Sequence, residues 1–170
     1  SYDVIRDFAP ITATESSLSV LVVHSSVPAG SVKELIALAK ARPGTLNYGT
    51  GAAGSLTHLA AELFKAMAGI NIMHIPYKGG GEAVKAAVAG EVQILISPTG
   101  TVMPFVKSGK LKALGVGSLQ PSPLEPGLPT IASQGLPGFE LNFFEGLFAP
   151  IKTPEPIVRK LNSEIVRALT

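Results

Sequence analysis

Hydrophobic residues in this chain fall alternately into short continuous runs and into segments where they recur every three or four positions. The continuous runs are typical of β-strands, and they cover 18–24, 46–48, 70–75, 92–96, 111–116 and 143–149. Segments of helical period lie between them, at 32–39, 56–67, 83–88 and 102–106. Ser31 is the predicted cap of the first, and the second and third are predicted to end at Gly69 and Gly90. This alternation predicts an α/β fold in which a mainly parallel sheet is flanked by helices on both faces.

The stretch 46–59 contains the clearest change from strand to helix. A glycine- and alanine-rich turn follows the strand, and Ser55 is the predicted cap of the next helix. That helix has apolar residues on one face, at Leu56, Leu59, Ala60, Leu63 and Met67. The turn exposes several backbone N–H groups beside the positive end of a helix dipole, so the stretch is suited to bind a small anion.

Three other parts of the chain depart from the alternation. The opening through Ser17 shows little periodicity and is predicted to be an irregular lead-in. Residues 118–138 are rich in Pro, Gly, Ser and Leu, which is typical of a surface connection. Thr153 and the prolines that follow it predict the start of a final helix, whose apolar side carries Ile157, Leu161, Ile165 and Leu169.

Composition narrows the class of protein. The 170 residues suffice for one well-packed domain, and 46% hydrophobic against 15% charged residues argues against disorder. No apolar run approaches the ~20 residues that a membrane-spanning helix needs, and the first residues lack a signal-peptide pattern. The net charge is +2 without a run of basic residues, so nucleic acid is not an expected partner.

Metal and catalytic chemistry find little support in the sequence. The chain has no cysteine, and His24, His58 and His74 lack the spacing of metal ligands. No G-x-S-x-G motif is present, and the glutamates of the predicted helices form no pair suited to acid–base work. We therefore expect no catalytic residues, no metal, no other cofactor and no enzyme activity.

The turn between strand and helix has the spacing G-x-G-x-x-G, at Gly49, Gly51 and Gly54. After a strand and before a helix this is the dinucleotide fingerprint, so an NAD-binding α/β enzyme domain is one interpretation. The acid that the fingerprint requires about 20 residues later is absent from 72–76. A second interpretation is a tight turn that needs glycine for backbone reasons alone. The third is a loop that holds one carboxylate of a small ligand.

The carboxylate-loop hypothesis names specific groups. Backbone N–H groups between Thr50 and Ser55 would hold the ligand, together with the Ser55 hydroxyl and the helix dipole. A second glycine turn, 79–81, opens another helix that could point at the same cavity. Lys78 could add a full charge there or remain solvated. His58 could donate a hydrogen bond to the ligand or brace the backbone of the loop.

A family resemblance connects these segments. The chain contains, in this order, Asp7-Phe8-Ala9-Pro10, Ala39-Lys40-Ala41-Arg42-Pro43-Gly44, Gly51-Ala52-Ala53-Gly54-Ser55 with His58-Leu59, and His74-Ile75-Pro76-Tyr77-Lys78-Gly79-Gly80. These are followed by Gly109-Lys110-Leu111-Lys112-Ala113-Leu114, Leu128-Pro129-Thr130-Ile131, Gly135-Leu136-Pro137-Gly138 and Ala149-Pro150 with Thr153-Pro154. In these motifs the chain resembles, over nearly its whole length, the Bug-type solute receptors of tripartite tricarboxylate transporters.

The resemblance implies a periplasmic receptor of two lobes, with the type II periplasmic-binding-protein topology, that closes over a small organic carboxylate and delivers it to membrane permease subunits. Ligands of such receptors are dicarboxylates, tricarboxylates, amino acids or aromatic acids. It further implies that the chain starts after the signal peptide and half of the first lobe. Residues 1–17 would lead in from that lobe, 18–140 would form the second lobe, and 141–170 would supply a crossover strand and helix returning toward the first.

By the same resemblance, ligand-binding residues come from three loops. They are Thr50, Gly51, Ala52, Gly54, Ser55 and His58 in the first loop, Tyr77, Lys78, Gly79 and Gly80 in the second, and Ser97, Pro98 and Thr99 at a strand end.

The chain departs from the family pattern in three places. Bug-type receptors often have Asn at the position of Ala53 and Asp or Asn near 97–99, so an altered ligand or greater reliance on backbone and water contacts is implied. The first-lobe Pro-Gly-Gly binding segment is absent from this sequence, so we expect weak or undetectable carboxylate affinity. An effector-sensing regulatory domain of similar topology is a further alternative, and the oligomeric state stays open.

Overall fold

The structure is a computed structural model that describes residues 2–169. Its contacts divide the chain into two units. The described part of unit 1 is 2–16 together with 144–169, and unit 2 is Ser17–Phe143. The assignment of 1–17, 18–140 and 141–170 to parts of two lobes stays a prediction.

The described residues form α-helices and β-strands in alternation. The helices are α1 (Val4–Asp7), α2 (Val32–Ala41), α3 (Leu56–Ala68), α4 (Gly80–Ala89), α5 (Thr99–Lys107) and α6 (Glu155–Leu169). The strands are β1 (Phe8–His24), β2 (Asn47–Thr50), β3 (Met73–Pro76), β4 (Ile94–Pro98), β5 (Leu111–Val116) and β6 (Asn142–Pro150). A short 3₁₀ helix, Ala132–Gln134, lies in the connection between β5 and β6. Within the described range no helix combines the length and the apolar character needed to cross a bilayer.

The predicted α/β fold is confirmed, and the sheet of unit 2 is mixed. The strand order is β3-β2-β4-β1-β5. β2 runs parallel to β3 and to β4, whereas β1 runs antiparallel to β4 and to β5. The parallel part of the prediction therefore holds for four strands that share one direction, and β1 is the exception. β1 is followed by α2 and β2, yet it runs opposite to β2, because it pairs antiparallel with β4, to which β2 is parallel.

Both faces of the sheet in unit 2 are covered by helices. Alternate residues of β1 point to opposite faces, with Leu21 and Val23 on one and Val20 and Val22 on the other. The first face packs against the buried residues of α2 and α3, and the second against those of α4 and α5. The connection 118–138, predicted to lie on the surface, contributes Ile131 and Leu136 to the first core. The result is an arrangement of three layers in unit 2, in which the sheet lies between two layers of helices.

The ends of the helices in unit 2 follow their predicted caps. Ser31 accepts a hydrogen bond from the N–H of Glu34 at the start of α2. Ser55 does the same for the N–H of His58 at the start of α3. α3 ends at Gly69 and α4 at Gly90, both in the left-handed conformation that ends helices.

The predicted apolar face of α3 is only partly in the core. Of its five residues only Ala60 is buried, whereas Leu56 is 54% exposed, Leu59 is 58% exposed, and Leu63 and Met67 are also exposed. The face that packs on the sheet carries Ala60, Ala61, Phe64 and Ala68. Small residues allow α3 to approach the sheet closely, and Phe64 fills the remaining space against Phe139.

Unit 1 corrects the prediction of an irregular lead-in. Residues 4–7 form α1, capped by the carboxylate of Asp3, and β1 begins directly after it at Phe8. β1 pairs with β6, and the Asn162 side chain of α6 donates to the carbonyl of Ile11. The weak periodicity of this opening reflects side chains that are mostly exposed or half-buried, so the pattern contained little burial signal.

Candidate functional site

Three loops of unit 2 meet at one edge of the sheet. β2 lies between β3 and β4 and runs parallel to both, so all three strands end on the same side. Thr50 at the end of β2 is in register with Pro76 at the end of β3. The segments that follow, 50–55, 77–80 and 97–99, are here called the strand-end site. Ligands of open α/β sheets bind beyond such strand ends.

The first two loops are in close contact. A Cβ atom on Gly51 would lie 3.4 Å from the backbone nitrogen of Gly80 and 3.7 Å from the Ser55 hydroxyl. Between them is a cavity of about 10 Å³, room for about one water molecule. Its walls are formed by Gly49, Thr50, Gly51, Thr57, Gly80, Ala83, Val84, Leu95, Ile96 and Ser97. The walls include predicted residues of all three loops, Thr50 and Gly51, Gly80, and Ser97, and also Thr57, which the sequence interpretation did not name.

Each glycine of the G-x-G-x-x-G spacing has its own structural reason. A Cβ on Gly49 would lie 2.9 Å from Val92 Cγ2 and 3.2 Å from Leu95 Cδ2. Gly51 permits the close approach to Gly80. Gly54 has φ +82°, in the left-handed region that side chains disfavour. Packing and backbone geometry account for the spacing without a dinucleotide.

Several loop amides are used by the protein itself. The Gly51 N–H donates to the Thr57 hydroxyl at 3.3 Å and the Gly54 N–H donates to His58 Nδ1 at 3.0 Å. The Ser55 N–H donates to the Ala52 carbonyl at 3.0 Å. Among the described residues, the N–H of Ala52 has no hydrogen-bond acceptor. The set of loop amides that could reach a ligand is therefore smaller than the predicted one.

The helices at the strand-end site differ in how their first N–H groups are satisfied. α3 is capped by Ser55, whose hydroxyl also contacts Thr57 Oγ1 at 3.1 Å. α4 follows Gly79 and α5 follows Pro98, and neither of these residues makes a side-chain cap hydrogen bond. The first turns of α4 and α5 therefore keep unsatisfied N–H groups and a partial positive charge, which favours an anion.

The second and third loops place their predicted residues differently. Lys78 is exposed, and its backbone N–H donates to Glu82 Oε2 at 3.2 Å. The Tyr77 side chain lines a separate hollow of about 390 Å³ on the outer side of α4. Burial raises the pKa of the Tyr77 phenol, and the nearby Glu91 carboxylate raises it further. Ser97 is 6% exposed, and its side chain makes no hydrogen bond to the residues that the structure describes.

His58 braces the loop, which is one of the two roles open from the sequence. Its ring accepts the Gly54 N–H and stacks on the ring of His74 with 4.1 Å between centroids. His74 stacks in turn on Tyr48 at 5.0 Å, and its Nε2 lies 2.6 Å from Thr50 Oγ1. Sequence reasoning missed His74, because only the pairing of β2 with β3 brings it beside Tyr48.

A hydrogen-bond chain links this ring stack to charged residues of α3. The Tyr48 hydroxyl donates to Glu62 Oε1, and Lys65 Nζ donates to the same oxygen at 3.2 Å. The hydrogen bond from Tyr48 lowers the pKa of Glu62. Burial, followed by the Glu62 hydrogen bond, raises the pKa of Tyr48. Burial also lowers the pKa of His74, and the neighbouring His58 lowers it further.

Comparison with known proteins places the chain in a family. The model of the tripartite tricarboxylate transporter family receptor matches residues 1–170. The chain belongs to this receptor family. Protein BugT of Bordetella pertussis is 36% identical to the chain over 168 residues, which are 99% of the chain and 52% of BugT. The chain spans about half the length of the curated relatives that it matches across 96–99% of its own residues.

Solved structures of similar receptors share the fold. R. palustris Rpa4515 with adipate is 36% identical with a TM-score of 0.90, over 96% of this chain and 55% of that one. MatC from Rhodopseudomonas palustris with bound malate is 30% identical with a TM-score of 0.93, over 99% and 57%. The predicted resemblance to Bug-type receptors is confirmed, and proteins of this family are solute-binding receptors.

Proposed function

We propose that the chain provides the strand-end site of a periplasmic receptor that captures a small organic carboxylate for the permease subunits of a tripartite tricarboxylate transporter. The observation that carries this proposal is that Gly80, in the uncapped first turn of α4, and Ser97, two residues before the uncapped start of α5, line the same cavity. Similar receptors have been solved with adipate and with malate, both of which are dicarboxylates.

The chemistry of binding follows from backbone donors. A carboxylate beside Gly80 would accept N–H groups at the start of α4, where the helix dipole favours negative charge. The hydroxyl of Ser97 and the start of α5 at Thr99 lie at the neighbouring strand end and would supply further donors. Hydrogen bonds to a charged group contribute about 1.5–3 kcal/mol each, so two or three of them would favour a carboxylate over an uncharged ligand of the same length.

We infer binding without chemical conversion. Two histidines lie beside the strand-end site and both are engaged with its first loop: His58 Nδ1 accepts the Gly54 N–H, and His74 Nε2 lies 2.6 Å from Thr50 Oγ1. Glu62 is committed to Tyr48 and Lys65. A nucleophile beside a base, the minimum for hydrolytic chemistry, is not formed by the described residues of the site. Ligand capture would then proceed by closure of a second lobe over the bound carboxylate.

The test is an NMR titration of the ¹⁵N-labelled chain with adipate, because this method also detects millimolar affinity. We expect adipate to shift the amide signals of Ala52, Gly80 and Thr99. Hexane-1,6-diol has the same carbon chain without charge and is the matched control, which should leave these signals in place. Equal shifts with the diol, or adipate shifts confined to α2 or α6, would contradict the proposal.

A matched pair of serine variants tests the role of the cavity wall. Ser97→Ala removes the hydroxyl at the start of α5 and should weaken adipate binding by about tenfold, the effect of one lost hydrogen bond. Ser108→Ala removes an exposed hydroxyl at the other end of α5 that donates to the Phe105 carbonyl, and should not change binding. Equal adipate affinities of the two variants would show that the Ser97 hydroxyl does not contribute to binding.

A further inference from the structure

Three aromatic rings are stacked behind the first loop of the strand-end site. Tyr48 of β2 and His74 of β3 are stacked with 5.0 Å between centroids, and His58 of α3 continues the stack at 4.1 Å. The interplanar angle is 16° at both contacts. Tyr48 is fully buried, so the stack is anchored in the core at one end and reaches the loop at the other.

The two histidines hold opposite ends of the loop. At its start, the Thr50 hydroxyl donates to the Gly51 carbonyl at 2.9 Å and lies 2.6 Å from His74 Nε2. Because a hydroxyl has one proton to donate, His74 Nε2 is the donor of that second bond. At the end of the loop, His58 Nδ1 is the acceptor of the Gly54 N–H. The loop thus depends on one imidazole as donor and on the other as acceptor.

Acceptance by His58 requires a neutral ring. An imidazole that takes up a second proton has N–H donors at both nitrogens and can no longer accept. The Gly54 N–H would then lose its acceptor. Gly54 has the left-handed φ of +82°, and the lost bond is one of the interactions that hold the turn in this conformation. His74 keeps its donor function in either protonation state because Nε2 carries the proton throughout.

The charged and titratable groups around the pair come from two elements, α3 and β2. Glu62 and Lys65 lie on α3 one and two turns beyond His58, and Tyr48 faces His74 from β2. Glu62 already accepts from Tyr48 and Lys65. Burial and a charge on His58 both lower the pKa of His74. A second proton on His74 is therefore opposed, and the loop bond that a second ring proton would break is the one that His58 Nδ1 accepts.

We propose that His58 and His74 are positioning residues of the carboxylate loop, and that protonation of His58 releases the Gly54 end of the loop and weakens carboxylate binding. This inference rests on the proposed function for its effect on affinity. Its effect on the loop does not depend on any ligand.

The experiment follows the Gly54 amide and the His58 ring nitrogens of the ligand-free chain by ¹⁵N NMR between pH 5 and 8. We expect Nδ1 of His58 to have the shift of an unprotonated acceptor at pH 8. As the pH falls, the Gly54 amide should move together with the His58 ring. If the chemical shift of the Gly54 amide does not change as the His58 ring takes up a proton, the inference is wrong.

Two substitutions of His58 distinguish the loss of its hydrogen-bond acceptor from the loss of its ability to take up a proton. His58→Asn places an amide oxygen near the Nδ1 position that accepts and does not titrate, and should keep adipate affinity within about threefold while removing its pH dependence. His58→Leu removes the acceptor and should weaken adipate binding about tenfold at every pH. Unchanged pH dependence in His58→Asn, or unchanged affinity in His58→Leu, would overturn the inference.

The two proposals fail in different ways. If adipate and malate leave the wild-type amides unchanged at pH 8, the carboxylate function fails, while a Gly54 amide that follows His58 still supports the loop brace. If the carboxylates bind and His58→Asn keeps the full pH dependence of binding, the proposed effect of His58 protonation on the loop is wrong, whereas the receptor function is still supported. The wild-type titration needs no variant, so a failure of His58→Leu to fold does not remove the test.

Discussion

A Cβ atom on Gly51 would lie 3.4 Å from the backbone nitrogen of Gly80, the first residue of α4. This distance is ordinary van der Waals contact, so the position tolerates a methyl group sterically. Gly51 also has no positive φ that would penalise a side chain. The methyl group would nevertheless cover the Gly80 N–H and fill part of a cavity of about 10 Å³.

Gly51→Ala is therefore expected to leave the fold intact and to abolish carboxylate binding. We expect the free energy of unfolding to change by less than about 1 kcal/mol, because no close contact is created. Adipate should no longer shift the amide of Gly80 in an NMR titration. Gly30→Ala is the control in unit 2 outside the strand-end site, and it should bind as the wild type does. Retained binding in Gly51→Ala would show that the ligand avoids the first turn of α4.

Gly49→Ala is expected to behave in the opposite way. Its methyl group would lie 2.9 Å from Val92 Cγ2, inside the core, and overpacking of this kind costs about 1–3 kcal/mol. Urea unfolding measures the loss. Combining Gly49→Ala with Val92→Ala makes room for the methyl group, so the double variant should be less destabilised than the sum of the single variants. Additive losses would contradict the steric explanation.

The two faces of α3 should respond unequally to substitution. Leu59 is 58% exposed, so Leu59→Ser should change the free energy of unfolding by no more than about 0.5 kcal/mol. Phe64, on the buried face, contacts Phe139, and Phe64→Ala should cost about 3–5 kcal/mol. Thermal and urea unfolding of the two variants give the comparison. A large loss for Leu59→Ser would mean that another surface covers it.

The bond between Tyr48 and Glu62 should make stability depend on acid pH. The hydrogen bond lowers the folded-state pKa of Glu62 below its ordinary 4.5, so its contribution is fully present above that value. It is lost as pH falls from there through the lowered pKa. Tyr48→Phe should cost about 0.5–1 kcal/mol at neutral pH, since the half-exposed carboxylate regains water. The variant should also lose less stability on acidification than the wild type does.

Tyr77→Phe is the control for this prediction. Its phenol lies beside Glu91 on the outer side of α4, and Glu62 is not among the residues that line this hollow. The acid limb of its stability profile, measured by urea unfolding at several pH values, should follow that of the wild type. An identical acid limb for Tyr48→Phe and the wild type would contradict the role given to Glu62.

His74 should destabilise the fold as the pH falls below neutrality. Burial lowers its folded-state pKa below the ordinary 6.5, so the unfolded chain binds a proton that the folded chain does not. Stability therefore decreases as pH falls from about 6.5 toward the lowered value. His74→Gln keeps a donor near Nε2 for Thr50 and cannot titrate, and it should flatten this part of the profile. His24→Gln, far from the ring stack, should leave the slope unchanged, and equal slopes in all three proteins would refute the prediction.

The sequence by itself determined the order of the elements in unit 2, the caps at Ser31 and Ser55, the glycine ends of α3 and α4, and the loops that meet at the strand-end site. The elements, caps and glycine ends depend on interactions within about four residues, which a local pattern contains. The meeting of the loops followed instead from the general rule that loops beyond the carboxyl ends of the strands of an open α/β sheet converge. The family motifs were also readable, because they are local strings of residues.

Tertiary structure alone decided the reversed direction of β1, the exposed side of α3, the pairing of His58 with His74, and which loop amides remain for a ligand. Each of these depends on residues far apart in the chain. His74 reaches the loop only through the register of β3 on β2, and Phe64 is preferred to Leu59 in the core only because the sheet approaches that side of the helix. Helical spacing describes an apolar face, but the neighbouring element decides which apolar residues are buried.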